Sequence, residues 1–126
     1  EYYVAFQLAR RGINPALLSQ NALGCDILAT DDGTTVISIQ VKTSEGKGSS
    51  RQWCVGKHKP TGSNSLLYVF VNMLTNNKIE CFIVPSKFVA ETATWHNEVP
   101  LFKITEEQKE FYRDKWELIT SHFSSE

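Results

Sequence analysis

Four residues have the side chains and positions needed to bind a divalent cation beside a phosphate group: Glu1, Asp26, Gln40 and Lys42. Gln40 and Lys42 belong to the run ISIQVKT, residues 37–43, whose β-branched side chains favour a strand. Side chains alternate between the two faces of a strand, so Gln40 and Lys42 share one face and the apolar residues between them occupy the other. A strand with one solvated face would show the same pattern without any chemistry.

Asp26 stands at the start of the segment CDILAT, which is predicted to be the strand before that run. The intervening DDG is typical of a hairpin turn. If the two strands pair symmetrically about Asp32, Asp26 lies opposite roughly residues 38–40, within reach of the amide and the ammonium on the same face. The alternative is a surface or turn residue, since Asp is common near strand ends.

Glu1 begins the segment EYYVAFQLARRG, whose spacing predicts a helix that ends at Gly12. At about 100° per residue, Glu1 falls within the apolar stripe of Val4, Ala5 and Leu8, which predicts that it faces the core. A carboxylate in that position is costly unless it is paired or bound to a cation. The alternative is a frayed first residue whose charge is favoured by the helix N-terminus.

Together these positions would supply two carboxylates, an amide oxygen and an ammonium group from one helix and two adjacent strands. Hard oxygen ligands of this kind suit Mg²⁺ or Mn²⁺, which keep several waters and accept phosphate oxygens. A lysine beside such a cation could orient or deprotonate a water, or stabilise charge on the phosphate. The chemistry indicated is metal-assisted hydrolysis of a phosphodiester.

Further strands must form the sheet that positions these residues. LLYVFVNML, residues 66–74, is a continuous apolar run, typical of a strand buried on both faces. Strands are also predicted in INPALLSQ, starting after Pro15, and in KIECFIVP. Residues 44–65 contain many turn formers and are predicted to be a loop with one short element at most.

Two helices complete the pattern. PSKFVAETA is predicted to be a short helix with Ser86 as its N-cap, and the last helix opens with Thr105 and Gln108 at capping-box spacing. That helix carries apolar residues at intervals of four, three and four, namely Tyr112, Trp116, Ile119 and Phe123. The order of elements predicts an α/β or α+β sheet covered by helices.

Composition is that of an ordinary globular chain: 126 residues, 41% hydrophobic, 21% charged and a net charge of −1. We expect a single domain, residues 1–126. The three cysteines form no CxxC and are odd in number, which argues against a disulfide framework and predicts a reducing, cytoplasmic location. No apolar run approaches about 18 residues, so no membrane span is expected.

Residues 42–59 form a basic segment with five cationic side chains against the single acid Glu45, a local charge of +4 in a chain of net charge −1. Lysine and arginine on a loop with nearby hydroxyl groups suit phosphate contacts. Trp53 could stack on a base or pack in the core. The alternative is a solvated loop that maintains solubility. The nucleic-acid-binding candidates beyond Lys42 are Lys47, Arg51, Lys57 and Lys59.

The arrangement of the first helix, GCDILAT, the DG turn and ISIQVKT resembles the PD-(D/E)XK nuclease superfamily, in particular its restriction-endonuclease-like and Holliday-junction-resolvase-like branch. The resemblance covers roughly residues 1–85 and implies a restriction-endonuclease-like αβββαβ core with a mixed central sheet flanked by helices. By position it implies that Glu1 is the acid of the first helix, Asp26 the acid of the first half-motif, and Gln40 and Lys42 the remaining site residues. It further implies Mg²⁺ or Mn²⁺ as cofactor and DNA as partner.

Two features depart from the superfamily pattern. Position 40 is Gln rather than Asp or Glu, a QxK variant with one negative charge fewer in the site. The core helix expected between the third and fourth strands falls in residues 44–65, where no helical period is visible.

Three functions follow from these observations. The first is a Mg²⁺-dependent endonuclease that hydrolyses DNA and could act as a homodimer. The second is a nuclease fold without catalysis, a DNA-binding or protein-interaction module in which Gln40 marks loss of the site. The third is an interaction domain whose Trp116 and Phe123 helix pairs with a partner or a second copy.

Overall fold

The structure, a computed structural model, describes residues 1–18, 25–31, 33–45, 51–56 and 60–123. In chain order its elements are α1 Tyr2–Ala9, β1 Asn14–Leu17, β2 Ile27–Thr30, β3 Val36–Glu45, β4 Gln52–Cys54, β5 Leu66–Met73, β6 Ile79–Pro85, α2 Ser86–Thr92, β7 Thr94–His96, β8 Val99–Lys103, α3 Glu106–Tyr112, α4 Glu117–Thr120 and a 3₁₀ turn Ser121–Phe123.

Five strands form a mixed main sheet in the order β1-β2-β3-β5-β6. β3 and β5 run parallel, and the other neighbouring pairs are antiparallel. A parallel pair needs a crossover connection, and here the described part of the crossover contains β4 and no helix. The predicted α/β class, a mixed central sheet flanked by helices, is confirmed. In the described part of residues 44–65, the strand β4 stands where the resemblance implies a helix.

One face of the main sheet is covered by α1 and by the C-terminal helix α4. Val4 and Leu8 of α1 and Ile119 of α4 are fully buried in the same cluster as Ile37 and Ile39 of β3. The side chains of β3 therefore alternate between the two faces of the sheet as the sequence predicts. Its isoleucines face this core, and Gln40 and Lys42 lie on the opposite face.

The opposite face of the main sheet is covered by a second sheet of three strands in the order β4-β8-β7. Trp53 of β4 and Phe102 of β8 pack on Phe70 of β5, with ring centroids 4.9 Å and 4.7 Å from the Phe70 ring. Phe82 of β6 belongs to the same aromatic cluster. Gln40 and Lys42 thus share a face of the sheet with this second core.

Several local predictions are confirmed. Gly12 follows α1 with a φ of 82°, which favours glycine, and β5 is buried along nearly its whole length. Thr105 and Gln108 form a capping box in which each side chain bonds the backbone N–H of the other residue.

Two predicted boundaries are wrong, that of α2 by one residue and that of β1 by two. Pro85 is the N-cap of α2, and Ser86 is its first helical residue. The Ser86 hydroxyl instead donates to the Ser63 carbonyl at 2.9 Å, which ties the preceding loop to the helix. β1 includes Pro15, which an edge strand tolerates because its outer N–H groups need no partner.

The predicted last helix is broken into α3 and α4. α3 ends at Tyr112, and Asp114 then adopts a φ of 50°, which a continuous helix does not allow. The break lets Tyr112 pack against the aromatic core while Trp116 and Ile119 join the core under α1. The helical period in the sequence therefore spans two short helices that serve different faces of the sheet.

The hairpin β7–β8 is missing from the prediction. The β7–β8 turn uses Asn97 and Glu98 with φ values of 51° and 68°, a conformation for which the sequence carries no glycine signal. β4 is the short element within residues 44–65, and β3 extends to Glu45.

The three cysteines are free. Of the helices that the structure describes, none has both the length and the apolar character that crossing a membrane requires.

Candidate active site

Asp26 is held beside Gln40 by two hydrogen bonds to the backbone of β3. Its N–H donates to the Ile39 carbonyl at 2.9 Å, and its Oδ2 accepts from the Val41 N–H at 2.8 Å. β2 pairs with β3 through Ile27 and Ile39, so Asp26 lies one residue before the paired segment, next to Gln40. The location predicted from hairpin symmetry, opposite residues 38–40, agrees with this geometry.

The carboxylate of Asp26 has one oxygen committed to the backbone. Among the described residues, no group donates a hydrogen bond to its other oxygen, Oδ1. Asp26 is half-buried, so this oxygen can accept an external ligand without unfolding of the strand. A carboxylate oriented by a backbone N–H is a well-positioned cation ligand, because its rotamer is fixed before binding.

Gln40 and Lys42 lie on the same face of β3 and are half-buried. Their neighbours on the parallel strand β5 are Tyr68 and Phe70. Burial raises the pKa of Tyr68, so its phenol stays protonated beside Gln40. The site therefore has an aromatic wall on one side and the Asp26 carboxylate on the other.

Lys42 carries a positive charge that is not neutralised within the described structure. Among the side chains that the structure describes, no carboxylate lies within 4.0 Å of its ammonium nitrogen. An ammonium offers three donors and no acceptor, so it suits a phosphate oxygen or a water.

Glu1 is the N-cap residue of α1, and its side chain makes no capping hydrogen bond. It is exposed, so the prediction that it faces the core is wrong. α1 packs against β1 beyond the short turn at Gly12. The Glu1 amino group lies near enough to Cys81 of β6 for its charge to oppose the rise in the Cys81 pKa. β6 is three strands from β2 in the main sheet, and among the described contacts none joins Glu1 to Asp26, Gln40 or Lys42.

The oxygen ligands at this site suit a hard cation that keeps several bound waters. They are too few for a cation whose ligands all come from the protein. Within the described residues there is no group of three His, Cys, Asp or Glu side chains that could hold a metal ion. Asp26 and Gln40 offer a carboxylate oxygen and an amide oxygen. Mg²⁺ commonly binds through one or two carboxylates and keeps several waters, so this set is compatible with it.

A second polar group on the same face was not anticipated. Asn72 of β5 is buried opposite Ser44 of β3, and its Nδ2 donates to Glu80 Oε1 at 2.9 Å. Arg113 pairs with the same carboxylate, and this bond is the first cause of the raised Arg113 pKa. The sequence signals were a single Asn inside the apolar run 66–74 and a Glu in the following strand. The network anchors the α3–α4 break to β6.

The basic segment is described in part. Lys47, Lys57 and Lys59 lie outside the described residues. Arg51 is exposed, and its Nε lies 3.5 Å from Glu106 Oε2. Such a surface pair contributes roughly 0–1 kcal/mol, so Arg51 can exchange Glu106 for a phosphate at little cost.

Trp53 is buried in the aromatic core, where its Nε1 donates to the Val71 carbonyl at 3.3 Å. It packs in the core and is not available to stack on a base. Trp116 is also buried, so the alternative function in which it pairs with a partner has lost its main contact residue.

Comparison with known proteins finds the same fold in solved nucleases. The chain is similar to Hjc, a Holliday junction resolvase from the archaeal hyperthermophile Archaeoglobus fulgidus, with a TM-score of 0.56, 12% identity and coverage of 97% of each chain. It is also similar to a bacterial homing endonuclease, with a TM-score of 0.59, 16% identity and coverage of 94% of this chain and 88% of that one. No family model and no curated protein matches the sequence. At these identities the likeness establishes the fold, which is the expected restriction-endonuclease-like one.

Proposed function

We propose that this protein is a metal-dependent endonuclease that hydrolyses DNA phosphodiester bonds. The observation that carries the proposal is the position of Asp26, which two hydrogen bonds fix beside Gln40 on the face that also presents Lys42. The fold shared with a resolvase and a homing endonuclease supports it. So does the unneutralised charge of Lys42 among the described side chains.

In this proposal Asp26 Oδ1 and the Gln40 amide oxygen hold Mg²⁺ or Mn²⁺. When bound, the cation would supply Lewis-acid polarisation of a phosphate oxygen and a more acidic water. The Val41 N–H keeps the Asp26 carboxylate in one rotamer throughout. The site is a QxK variant of the PD-(D/E)XK pattern.

Lys42 acts on the substrate from the same face as Gln40. Its ammonium donates hydrogen bonds to a non-bridging phosphate oxygen, where negative charge accumulates during attack by water. It also holds the attacking water in position through a second of its three donors. The aromatic wall of Tyr68 and Phe70 limits solvent on one side, which strengthens both interactions.

Gln40 weakens the cation site without removing an oxygen ligand. An amide carbonyl carries no formal charge, so a divalent cation is held less tightly than by two carboxylates. We expect a requirement for higher Mg²⁺ concentration than a carboxylate at position 40 would give.

Affinity for DNA is assigned to the basic segment, through Lys47, Arg51, Lys57 and Lys59. Charge reversal of Lys47, Arg51 and Lys57 should weaken binding and reduce its dependence on salt, because fewer counterions are released. Unchanged affinity and an unchanged salt slope in that triple variant would show that the segment is a solvated surface.

The proposal is tested by incubating the purified protein with plasmid, linear and branched DNA in Mg²⁺, Mn²⁺ or EDTA. The parent should cleave at least one substrate in Mg²⁺ or Mn²⁺ and none in EDTA. Asp26→Ala should abolish cleavage, and Asp31→Ala, at the other end of the same strand, should leave it unchanged. Cleavage in EDTA, or equal cleavage by Asp26→Ala, would refute the proposed site.

Two observations favour a second candidate, a DNA-binding module without catalysis. The described residues hold no cluster of three acidic, His or Cys side chains, and position 40 is neutral. If this candidate is correct, the parent binds DNA without cutting it, and Gln40→Glu restores metal-dependent cleavage.

A further inference from the structure

An aromatic cleft lies between α2 and α3, and we define it by its lining residues Phe88, Glu107, Gln108, Phe111 and Tyr112. Its volume is about 340 Å³, within the roughly 300–1,000 Å³ of small-ligand sites. Three of the five lining side chains are aromatic, and the Phe111 side chain is 57% exposed. An exposed ring beside a cavity leaves apolar surface available to a ligand.

The rings of the aromatic cleft pack on one another and on the core. The centroid of the Tyr112 ring lies 5.7 Å from that of Phe88 and 4.9 Å from that of Phe111, and the Phe111 and Tyr112 planes are nearly perpendicular at 85°. Phe88 in turn packs edge-to-face on the fully buried Phe102, with ring centroids 6.0 Å apart. Contacts of this geometry stabilise the rings relative to one another, so the cleft is formed before any ligand binds.

Glu107 is the charged residue of the aromatic cleft, and its charge is not neutralised within the described structure. The other two glutamates of α3, Glu106 and Glu110, each pair with an arginine, at 3.5 Å and 3.2 Å. Among the described side chains, no basic nitrogen lies within 4.0 Å of the Glu107 carboxylate. Gln108, the other polar residue of the lining, already accepts a capping-box hydrogen bond at 2.9 Å.

A methylated ammonium is the ligand that this lining favours. The negative face of an aromatic ring attracts a cation within about 6 Å of its centroid. The protein already uses this attraction beside the cleft, because the Lys115 ammonium lies 4.6 Å from the Phe111 ring centroid. An unmethylated ammonium has three N–H donors that need acceptors, whereas methyl groups on the nitrogen make apolar contacts with rings and keep the positive charge.

We propose that the aromatic cleft binds a methylated ammonium cation. Its methyl groups contact the rings of Phe88, Phe111 and Tyr112, and its charge is balanced by the Glu107 carboxylate. The ligand class is a quaternary amine, which is either a free molecule or the side chain of a trimethylated lysine. This binding activity goes beyond the proposed cleavage of DNA and does not depend on it.

The test compares two probes of the same shape, choline and the neutral alcohol in which carbon replaces the quaternary nitrogen. Each probe is titrated into the full chain at constant ionic strength, and the ring signals of Phe88, Phe111 and Tyr112 are followed by nuclear magnetic resonance. Choline should shift these signals and bind at least about fivefold more tightly than the alcohol, from the magnitude of cation–π attraction. Equal affinity for the two probes, or no shift with choline, would overturn the inference.

Two substitutions distinguish a cation site from an apolar groove. Phe111→Leu keeps an apolar side chain and removes the negative ring face, so it should weaken choline binding at least about threefold and change alcohol binding less than about twofold. Glu107→Gln should also weaken choline binding at least about threefold. The matched control is Glu106→Gln, which removes the same charge from a carboxylate that pairs with Arg51. Equal losses in the two glutamate variants, or unchanged choline binding in Phe111→Leu, would refute the site.

A short peptide that carries one trimethyllysine distinguishes the two sources of the cation. Tighter binding of this peptide than of choline would assign the cleft to a side chain of a partner protein, and equal or weaker binding would assign it to a free amine. The unmethylated peptide should bind less tightly than the trimethylated one, because its ammonium would lose water without gaining enough acceptors. The reverse order would contradict the proposal. All these measurements are made without DNA, so they are independent of the cleavage assay on Asp26→Ala.

Discussion

Asp26 makes a structural hydrogen bond and is also the proposed ligand of the cation. Two substitutions distinguish these two roles. Its Oδ2 accepts the Val41 N–H at 2.8 Å, beyond the last pair of the β2–β3 ladder. Asp26→Asn keeps an oxygen that can accept this bond and removes the negative charge. Asp26→Ala removes both. The stability of the two variants should therefore differ while their cleavage defects agree.

The size of the stability difference follows from the bond. A hydrogen bond to a charged group contributes about 1.5–3 kcal/mol. Asp26 is half-buried, so water can replace part of the lost bond, and we expect a loss of about 1–2 kcal/mol for Asp26→Ala. For a chain of this length that corresponds to a decrease in Tm of roughly 3–10 °C. Asp26→Asn should lose about 0.5 kcal/mol, because a neutral acceptor keeps the Val41 N–H satisfied.

The effect on cleavage should be large for both variants. Removing a group that merely orients a metal ligand typically costs about 10–100-fold, so removing the charge of a ligand itself should cost more than about 100-fold. Thermal unfolding and single-turnover cleavage are measured on the same preparations, with Asp31→Asn as the control. The reasoning fails if Asp26→Asn cleaves within about tenfold of the parent, or if it loses as much stability as Asp26→Ala.

Three other predictions concern single side chains. Lys42→Ala should abolish cleavage with little effect on metal affinity measured by calorimetry, because an ammonium does not ligate a cation; a large loss of metal affinity would contradict this role. Gln40→Glu should lower the Mg²⁺ concentration needed for half-maximal cleavage, since hard cations prefer carboxylates, and an unchanged requirement would place Gln40 outside the site. Burial, together with Asp114 and Glu80, raises the pKa of the Cys81 thiol from 9.0 to about 12. The free energy of unfolding should therefore be unaffected by this thiol below pH 9 and should fall as the pH rises from 9 to about 12, because only the unfolded chain ionises readily in that range. Denaturant unfolding should show that loss, and at pH 8 iodoacetamide should label the exposed Cys54 and reach Cys81 only after unfolding.

The part of the site on β3 could be predicted because strand alternation is a short-range property. Ile37 and Ile39 fill one core, and this alone places Gln40 and Lys42 on the other face. The approximate register of Asp26 followed from the hairpin. Its two bonds to the β3 backbone could not be predicted, because they depend on where the ladder ends rather than on residue type.

The errors have a common physical origin in long-range packing. The apolar period from Tyr112 to Phe123 is helical, yet two cores on opposite faces of the sheet divide it at Asp114. The β7–β8 turn places Asn97 and Glu98 at positive φ without a glycine, so local propensity gives no turn signal. Glu1 is exposed because it is the N-cap and precedes the first turn of α1.

The aromatic core decides between the two roles that the sequence allows for Trp53. Trp53 lies between cationic residues in the sequence, which favours nucleic-acid contact, but the second sheet places its ring against Phe70 and Phe82. The burial of a strand residue depends on the sheet that covers it. That sheet is assembled from β4 and the β7–β8 hairpin, which are distant from each other in sequence.

The central claim is that a divalent cation binds between β2 and β3, and paramagnetic broadening by Mn²⁺ tests it most directly. Substoichiometric Mn²⁺ is added to isotopically labelled protein, and the decay of backbone amide signals is measured by nuclear magnetic resonance. The account predicts the strongest broadening at Asp26, Gln40 and Lys42, its suppression by excess Mg²⁺, and its loss in Asp26→Ala. Broadening centred on the acidic helix α3, with the signals of Asp26 and Gln40 unaffected, would contradict the account.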